Sequence, residues 1–347
     1  MQIRLKTALL FVALLGVGFS SVETAQAVES AKPSSAKHRV KVVVPKAKAA
    51  PVAKTSGRSL AASKKPVRAA AVRATPVQDA RRLDVQSAAA LVIEQGGGDA
   101  LYQKNANQVV PIASITKLMT AMVVLDGAPS LQAPITISDD DVDTLRGSRS
   151  RLHVGSVMSR QFALLLALMS SENRAAHALA RNYPGGMPAF LSAMNIKAQS
   201  LGMRDTHFED PTGLTSSNVS TARDLAKMVV AAHSYPLIRE FSTTSDATVD
   251  IGGRSMAYHN TNPLVKSAAW DVGLSKTGYI NEAGKCLVMQ ARVADKPVVI
   301  VLLDSSGKQT RVGDANRIKR WMESTQARSH ASQKPATHAT LASVPPG

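Results

Sequence analysis

The stretch from Pro111 to Leu125 constrains this chain more than any other. It reads as the first turns of a helix that opens on Ser114, with Lys117 three residues on, and then runs Leu118, Met119, Thr120, Ala121, Met122, Val123, Val124, Leu125. A run that is apolar on nearly every face belongs to a helix buried in the middle of a domain. Side chains three residues apart share a helix face, so a helix starting near Ser114 sets the Lys117 amine beside the Ser114 hydroxyl. An amine entering such surroundings loses the solvation that favours its charged form and can accept a proton. Ser114 is therefore the candidate nucleophile and Lys117 its base. The helix N-terminus adds N–H groups and a positive dipole end where an oxyanion would develop.

The Ser-x-x-Lys pattern alone carries little. It occurs three times, at Ser34 to Lys37 in a low-complexity tract, at Ser114 to Lys117, and at Ser305 to Lys308 in a glycine-containing loop. Only the middle copy follows a predicted strand and heads a long apolar helix, and that context selects it.

The N-terminus carries Arg4 and Lys6, an apolar run from Ala8 to Phe19, and then Ala25-Gln26-Ala27. This is the pattern of a secretory signal peptide over residues 1–27, and the apolar run falls short of the ~20 residues a spanning helix needs. A periplasmic protein follows as the expectation. The tail after Ser324 is polar and proline-containing, without an amphipathic helix, so no membrane anchor is predicted. Cys286, the one cysteine, excludes an internal disulfide, and its neighbours Leu287, Val288 and Met289 make it a core residue.

Residues 28–82 are rich in Ala, Pro, Ser and Lys, with 14 basic residues against 2 acidic ones, and cannot bury a core. Most of the net charge of +17 thus belongs to a disordered arm rather than to the folded part. An exported chain does not meet nucleic acid. The arm either contacts anionic wall polymers and lipid headgroups or serves as a solubilising spacer. Residues 83–325 suffice for one domain with a helical lobe, followed by a disordered tail over 326–347.

Within that domain, Ala88 to Glu94 and Ala100 to Gln103 flank Gly96-Gly97-Gly98-Asp99 and predict a hairpin. Pro134 to Ile137 is a short strand. Asp139, Asp140, Asp141 and Asp143 with Arg146, Arg149 and Arg151 predict a charged, mobile loop, which lacks the glycine and terminal glutamate of a calcium site. Helices are predicted from Ser159 to Met169, Arg174 to Ala180, Met187 to Leu201 and Ala222 to Ala232, the last with Ser220 as its N-cap. Five strands follow, over Ala247 to Ile251, Ser255 to His259, Val272 to Thr277, Lys285 to Val293 and Pro297 to Leu303. A final helix covers Arg311 to Ser324. Early strands, a helical middle and late strands predict an α+β fold, an antiparallel sheet in which the two ends of the chain meet.

Two further polar sets accompany Ser114 and Lys117. Ser171-Glu172-Asn173 breaks two helical runs, and Lys276-Thr277-Gly278 ends a strand. A second Ser-x-Asn, Ser216-Ser217-Asn218, lies in a polar loop with no buried helix before it. In their order, Ser-x-x-Lys, Ser-x-Asn and Lys-Thr-Gly, the motifs resemble those of the penicillin-binding and serine β-lactamase superfamily. Ala113 to Thr120, Asp210-Pro211-Thr212-Gly213-Leu214, Asn260-Thr261-Asn262 and Lys276-Thr277-Gly278 resemble the low-molecular-mass D-alanyl-D-alanine peptidases, and Leu168 to Ala176, Ser150 to Gly155 and Leu274 to Ile280 are most similar to their endopeptidase type.

The resemblance covers roughly residues 85–325 and implies the serine β-lactamase-like fold. It implies that Ser114 attacks the carbonyl after a D-alanine and that Lys117 takes its proton. It further implies that Ser171 and Asn173 shuttle protons and position the peptide, and that Lys276 and Thr277 bind the carboxylate next to the scissile nitrogen. The N–H groups of Ser114 and Tyr279 are placed to form an oxyanion hole, and Gly278 lets a substrate backbone lie against its strand. Glu172 is read as an exposed residue of the second motif. The implied substrates are peptidoglycan stems and cross-links, with β-lactams as covalent inhibitors. The segment His207 to Leu214 does not resemble the loop that supplies a deacylating glutamate in class A β-lactamases, so slow β-lactam turnover is expected. Endopeptidase and carboxypeptidase modes share one catalytic set, and both stay open, as does a wall-recognition protein with little turnover. The histidines His153, His177, His207, His233 and His259 lack zinc-site spacing, and no metal or other cofactor is implied.

Overall fold

The computed structural model describes residues 83–332 apart from 98, 252 and 308. The expected signal peptide, the whole basic arm and residues 333–347 lie outside that description.

Two long apolar runs build the centre. Cys286 to Met289 and Val298 to Leu303 lie in the antiparallel strands that become β10 and β11 below, and each run is buried on both faces. The strands in chain order are β1 (Ala89–Glu94), β2 (Ala100–Lys104), β3 (Val110–Pro111), β4 (Pro134–Thr136), β5 (Val157–Ser159), β6 (Val219–Ser220), β7 (Asp246–Ile251), β8 (Arg254–His259), β9 (Asp271–Ile280), β10 (Gly284–Val293) and β11 (Lys296–Ser305). The helices are α1 (Lys117–Asp126), α2 (Arg160–Met169), α3 (Asn173–Arg181), α4 (Gly186–Ser200), α5 (Ala222–His233), α6 (Pro236–Thr243) and α7 (Thr310–Ser332).

The main sheet has the order β2-β1-β11-β10-β9, with β1 paired antiparallel to β11 from Ala89 opposite Leu303 to Glu94 opposite Val298. The two ends of the domain therefore meet in the sheet, as expected. Alternation along the strands divides the core. Val288, Val299, Val301 and Leu303 face the helical layer, while Leu287, Met289, Ile300 and Leu302 pack with Ala315, Ile318 and Met322 of α7. Asp314 of α7 seals that side: its buried carboxylate accepts from the Ser87 N–H at 2.7 Å and the Gln86 N–H at 3.0 Å. Helix α1 runs through the middle of the helical layer, buried from Lys117 to Val124, and touches α2, α3, α4 and α5.

Several local expectations change. The α-helix begins at Lys117, and Ser114 sits in a preceding 3-10 turn, Ala113–Thr116. The N-cap of α5 is Thr221, whose side chain accepts from the Asp224 N–H; Ser220 bonds Thr206 at 2.7 Å instead. Helix α6 was not anticipated, although Pro236 at its first turn is a favourable start. Helix α7 continues eight residues past Ser324, through residues assigned to the disordered tail, because no proline interrupts Thr325 to Ser332.

Candidate active site

Ser114 is presented by a strained turn. Ala113 takes φ +48°, and its carbonyl accepts from the Thr116 hydroxyl at 2.8 Å. Such backbone in a non-glycine residue persists only where the surroundings hold it. Here the holder is Asn218, whose buried amide donates to Thr116 Oγ1 at 3.0 Å and to the Asp210 carbonyl at 2.8 Å, and whose Oδ1 accepts the Glu209 N–H at 2.7 Å. The second Ser-x-Asn of the sequence is thus a structural hub under the first motif.

Lys117 is fully buried, and its ammonium reaches three oxygens: Ser114 Oγ at 2.8 Å, Asn173 Oδ1 at 2.7 Å and the Thr212 carbonyl at 2.7 Å. Burial pushes its pKa down to about 7, against the opposing charges of Asp210 and Glu172. The pairing expected from helical spacing is present, although a 3-10 turn supplies it.

The second and third motifs meet across the cleft. Ser171, at φ +63° between α2 and α3, accepts a hydrogen bond at 2.8 Å from Lys276 Nζ, which reaches out of β9. Lys276 is itself buried, and its pKa lies well below the usual lysine range through that burial, then through the Lys117 and Arg311 charges. The Thr277 hydroxyl donates to Thr261 Oγ1 at 2.7 Å. A Cβ on Gly278 would lie 2.9 Å from the Ile112 carbonyl and 3.1 Å from the Ser114 nitrogen. Its missing side chain makes room for the Ser114 turn, a requirement separate from any substrate. Tyr279 keeps its ring outside, with its hydroxyl on Asn281 at 2.9 Å. All eight residues singled out by the motifs therefore gather around one cleft along β9.

The charged loop is tied down rather than mobile. Asp141 is buried, with His177 at 2.8 Å and Arg181 at 2.9 Å. Burial alone would raise its carboxyl, but hydrogen bonds from His177, Arg181 and the Ser138 N–H together hold it at about 2. Asn173, His177 and Arg181 recur at four-residue spacing along one face of α3, so the clamp on Asp141 and the amide beside Lys117 share a helix stripe. The loop then brings Ser148 Oγ within 2.9 Å of Asn173 Nδ2, and Ser150 donates to Glu172 at 2.7 Å. Glu172 is buried, contrary to expectation, because its side chain turns inward to Ser150. A cavity of about 220 Å³ opens between this loop, Asn173 and the Thr212 to Thr215 segment.

Ser148 and Arg311 escaped sequence reasoning, while Thr212 was named only as part of the Asp210 to Leu214 cue and Asn218 only in the Ser-x-Asn that was set aside. Arg311 donates to the Gly278 carbonyl at 3.0 Å and the Cys286 carbonyl at 3.1 Å, beneath the strand that carries Lys276. Cys286 is a core residue as expected, its thiol pushed up to about 11 by burial.

A family model described as D-alanyl-D-alanine carboxypeptidase matches residues 74–307. The chain belongs to this family of serine peptidases. Among members of the D-alanyl-D-alanine carboxypeptidase family, it is 49% identical over 263 residues to a Pseudomonas aeruginosa protein named D-alanyl-D-alanine endopeptidase, covering 74% of this chain and 85% of that one. An Escherichia coli protein of the same name is 46% identical over 242 residues, 69% of this chain and 78% of the relative. The crystal structure of the Streptomyces K15 DD-transpeptidase superposes with a TM-score of 0.63 at 31% identity, covering 69% of this chain and 98% of that one. The α+β fold expected from the motifs is the fold of the family.

Proposed function

We propose that this family member is a periplasmic serine D,D-endopeptidase that hydrolyses D-alanyl to meso-diaminopimelate cross-links of peptidoglycan. The observation that carries the reading is the buried Lys117 amine 2.8 Å from the Ser114 hydroxyl. Ser114 Oγ attacks the carbonyl carbon that follows the D-alanine side chain, and its proton passes to Lys117 Nζ. The N–H groups of Ser114 and Tyr279 receive the oxyanion. The C–N bond then breaks as the leaving amine takes a proton through Ser171, whose hydroxyl Lys276 holds. Lys276 and Thr277 hold the carboxylate beside that nitrogen, and Asn173 fixes the donor peptide and the Lys117 amine. Water cleaves the Ser114 ester in a second round of the same proton transfers.

With a β-lactam the ring-opened acyl group stays on Ser114. Asp210, the carboxylate of the neighbouring loop, already accepts from the N–H groups of Thr212, Gly213 and Thr215 and is not free to activate water. Such compounds are therefore inhibitors.

A base that titrates at about 7 gives the pH dependence. Below that value Lys117 is an ammonium and cannot take the serine proton; above it the amine is free. The acylation rate constant is expected to rise about tenfold per pH unit in the acid limb and to level near neutrality. A flat benzylpenicillin acylation profile from roughly pH 5 to 8 would remove Lys117 from the role of base.

The decisive assay incubates the protein with cross-linked muropeptide dimers and with monomeric pentapeptides and follows products by mass spectrometry. Cleavage of dimers without alanine release from monomers supports the endopeptidase. Alanine release alone would replace it with a carboxypeptidase, the activity in the family's own description. Ser114→Ala is expected to abolish turnover, whereas a wall-recognition protein would keep its wall association in that variant.

A further inference from the structure

Arg146 spans the cleft. Its Nε donates to the Leu214 carbonyl on one wall, and its Nη2 lies 2.9 Å from Glu282 Oε2 in the β9–β10 turn on the other. Its own backbone N–H is held by Asp143 at 3.0 Å. Gly213 and Gly278 both approach the Ser114 nitrogen so closely that an added Cβ would lie 2.8 and 3.1 Å from it. Leu214 follows the first glycine, and Glu282 follows the second by four residues. The bridge therefore closes a ring whose far side is the nucleophile's own turn.

The direction along β9 says which part of a substrate meets this ring. Under the peptidase reading above, on which the inference rests, Lys276 and Thr277 hold the leaving side and the Tyr279 N–H holds the carbonyl oxygen. Continuing past Tyr279 to Glu282 leads onto the acyl-donor side. β9 is the edge strand of its sheet, so the donor backbone has this edge free and runs toward Arg146.

We infer that Arg146 is a specificity residue for the donor stem, binding a stem carboxylate in place of Glu282. The Nε bond to a backbone carbonyl fixes the guanidinium plane, while the Nη side faces a carboxylate that is 47% exposed. An ion pair this open to water is weak and exchanges readily. A planar donor fork presents the same geometry to any carboxylate that replaces Glu282. The inference covers both cutting modes, because they share the donor side.

The test measures binding of the stem pentapeptide L-Ala-γ-D-Glu-meso-diaminopimelyl-D-Ala-D-Ala, and of versions amidated at the glutamate or the diaminopimelate carboxylate, to the Ser114→Ala protein by calorimetry. Adding Arg146→Gln is expected to weaken binding of the free-acid stem by about tenfold to a hundredfold, the range of a lost charge-assisted bond. It should erase the preference over one of the two amidated stems. Glu282→Gln, which removes the competing carboxylate, should tighten the free-acid stem. Benzylpenicillin acylation of each variant with Ser114 intact reports that the site still folds. Equal affinities for all stems, unaltered by Arg146→Gln, would overturn the inference alone. If no stem binds while penicillin still acylates Ser114, the peptidase reading falls and the inference with it.

Discussion

Lys117→Met is expected to leave a folded protein that acylates on Ser114 about 10²–10⁴ times more slowly, the range of a lost general base. Methionine fills the same buried channel and brings no charge into it. It leaves two acceptors, Asn173 Oδ1 and the Thr212 carbonyl, without the donor that reaches them at 2.7 Å. The Thr212 carbonyl is the more serious loss, since it is buried and an unpaired buried acceptor costs about 1–3 kcal/mol. A fall of several degrees in Tm should therefore accompany the loss of activity without unfolding the protein at room temperature. Lys117→Arg separates two roles of the residue. A guanidinium keeps the positive charge and the donors but cannot give up its proton near neutrality. If Lys117 acts as base, Lys117→Arg is as slow as Lys117→Met. A rate near that of the parent protein would show that charge alone suffices. The measurement is the second-order rate constant for benzylpenicillin acylation, with intact mass as the readout.

The parts of this site that were legible in the sequence are those that repeat a spacing. Ser114 and Lys117 sit one turn apart at the head of an apolar helix, and the turn remains the right length even though it is 3-10. Ser171, Asn173, Lys276 and Thr277 have no such local signature, and they were found through the order of their motifs and a family resemblance. What stayed hidden is held together by single polar residues from distant loops. Ser148 meets Asn173 across 25 positions, and Thr212 meets Lys117 across 95. No periodicity marks such a residue: a serine such as Ser148 in a polar loop looks the same whether it is solvated or buried, and the Thr212 contact is made by its backbone carbonyl, which residue type does not show. Asp141 misled for the same reason. In sequence it is one of a run of acids, and only the packing of α3 turns that one inward to His177 and Arg181.

The sheet was legible because Cys286 to Met289 and Val298 to Leu303 are short unbroken apolar runs in the strand-rich last third of the chain, a length that suits strands covered on both faces. The pairing of Val298 to Leu303 with Ala89 to Glu94 agrees with the expectation that the two ends of the chain meet, which rested on the clustering of strands at both ends. Helix α6 failed to register because its proline looks like a break. Tyr235-Pro236 is also a start, and the choice depends on Ile238 and Phe241 finding a core to bury in, which the sequence does not display.

Gly213→Ala is expected to be among the most damaging single-methyl changes in the domain, for both stability and acylation. Gly213 has φ +80°, and an added Cβ would lie 1.9 Å from the Ala113 carbonyl oxygen, 2.3 Å from its carbon and 2.8 Å from the Ser114 nitrogen. Those are backbone atoms of the nucleophile's turn, and no side-chain rotation relieves the overlap. Gly155 is the control, because it has φ +85° and nothing within 4 Å of a built Cβ. Gly155→Ala therefore reads the conformational penalty alone, about 1–2 kcal/mol for a left-handed alanine. Whatever Gly213→Ala loses beyond that measures the collision. The loop can relieve it only by moving away from Ala113, which withdraws the Thr212 carbonyl from Lys117 and shifts the N–H of Ser114. Thermal unfolding should show a fall of several kcal/mol for Gly213→Ala, and acylation should drop more than the folded fraction explains. Gly155→Ala should acylate at the parent rate. Equal stability losses in the two variants, with acylation intact in both, would mean that the loop is free to move without disturbing Ser114. The close packing of Gly213 against that turn would then be incidental to the chemistry.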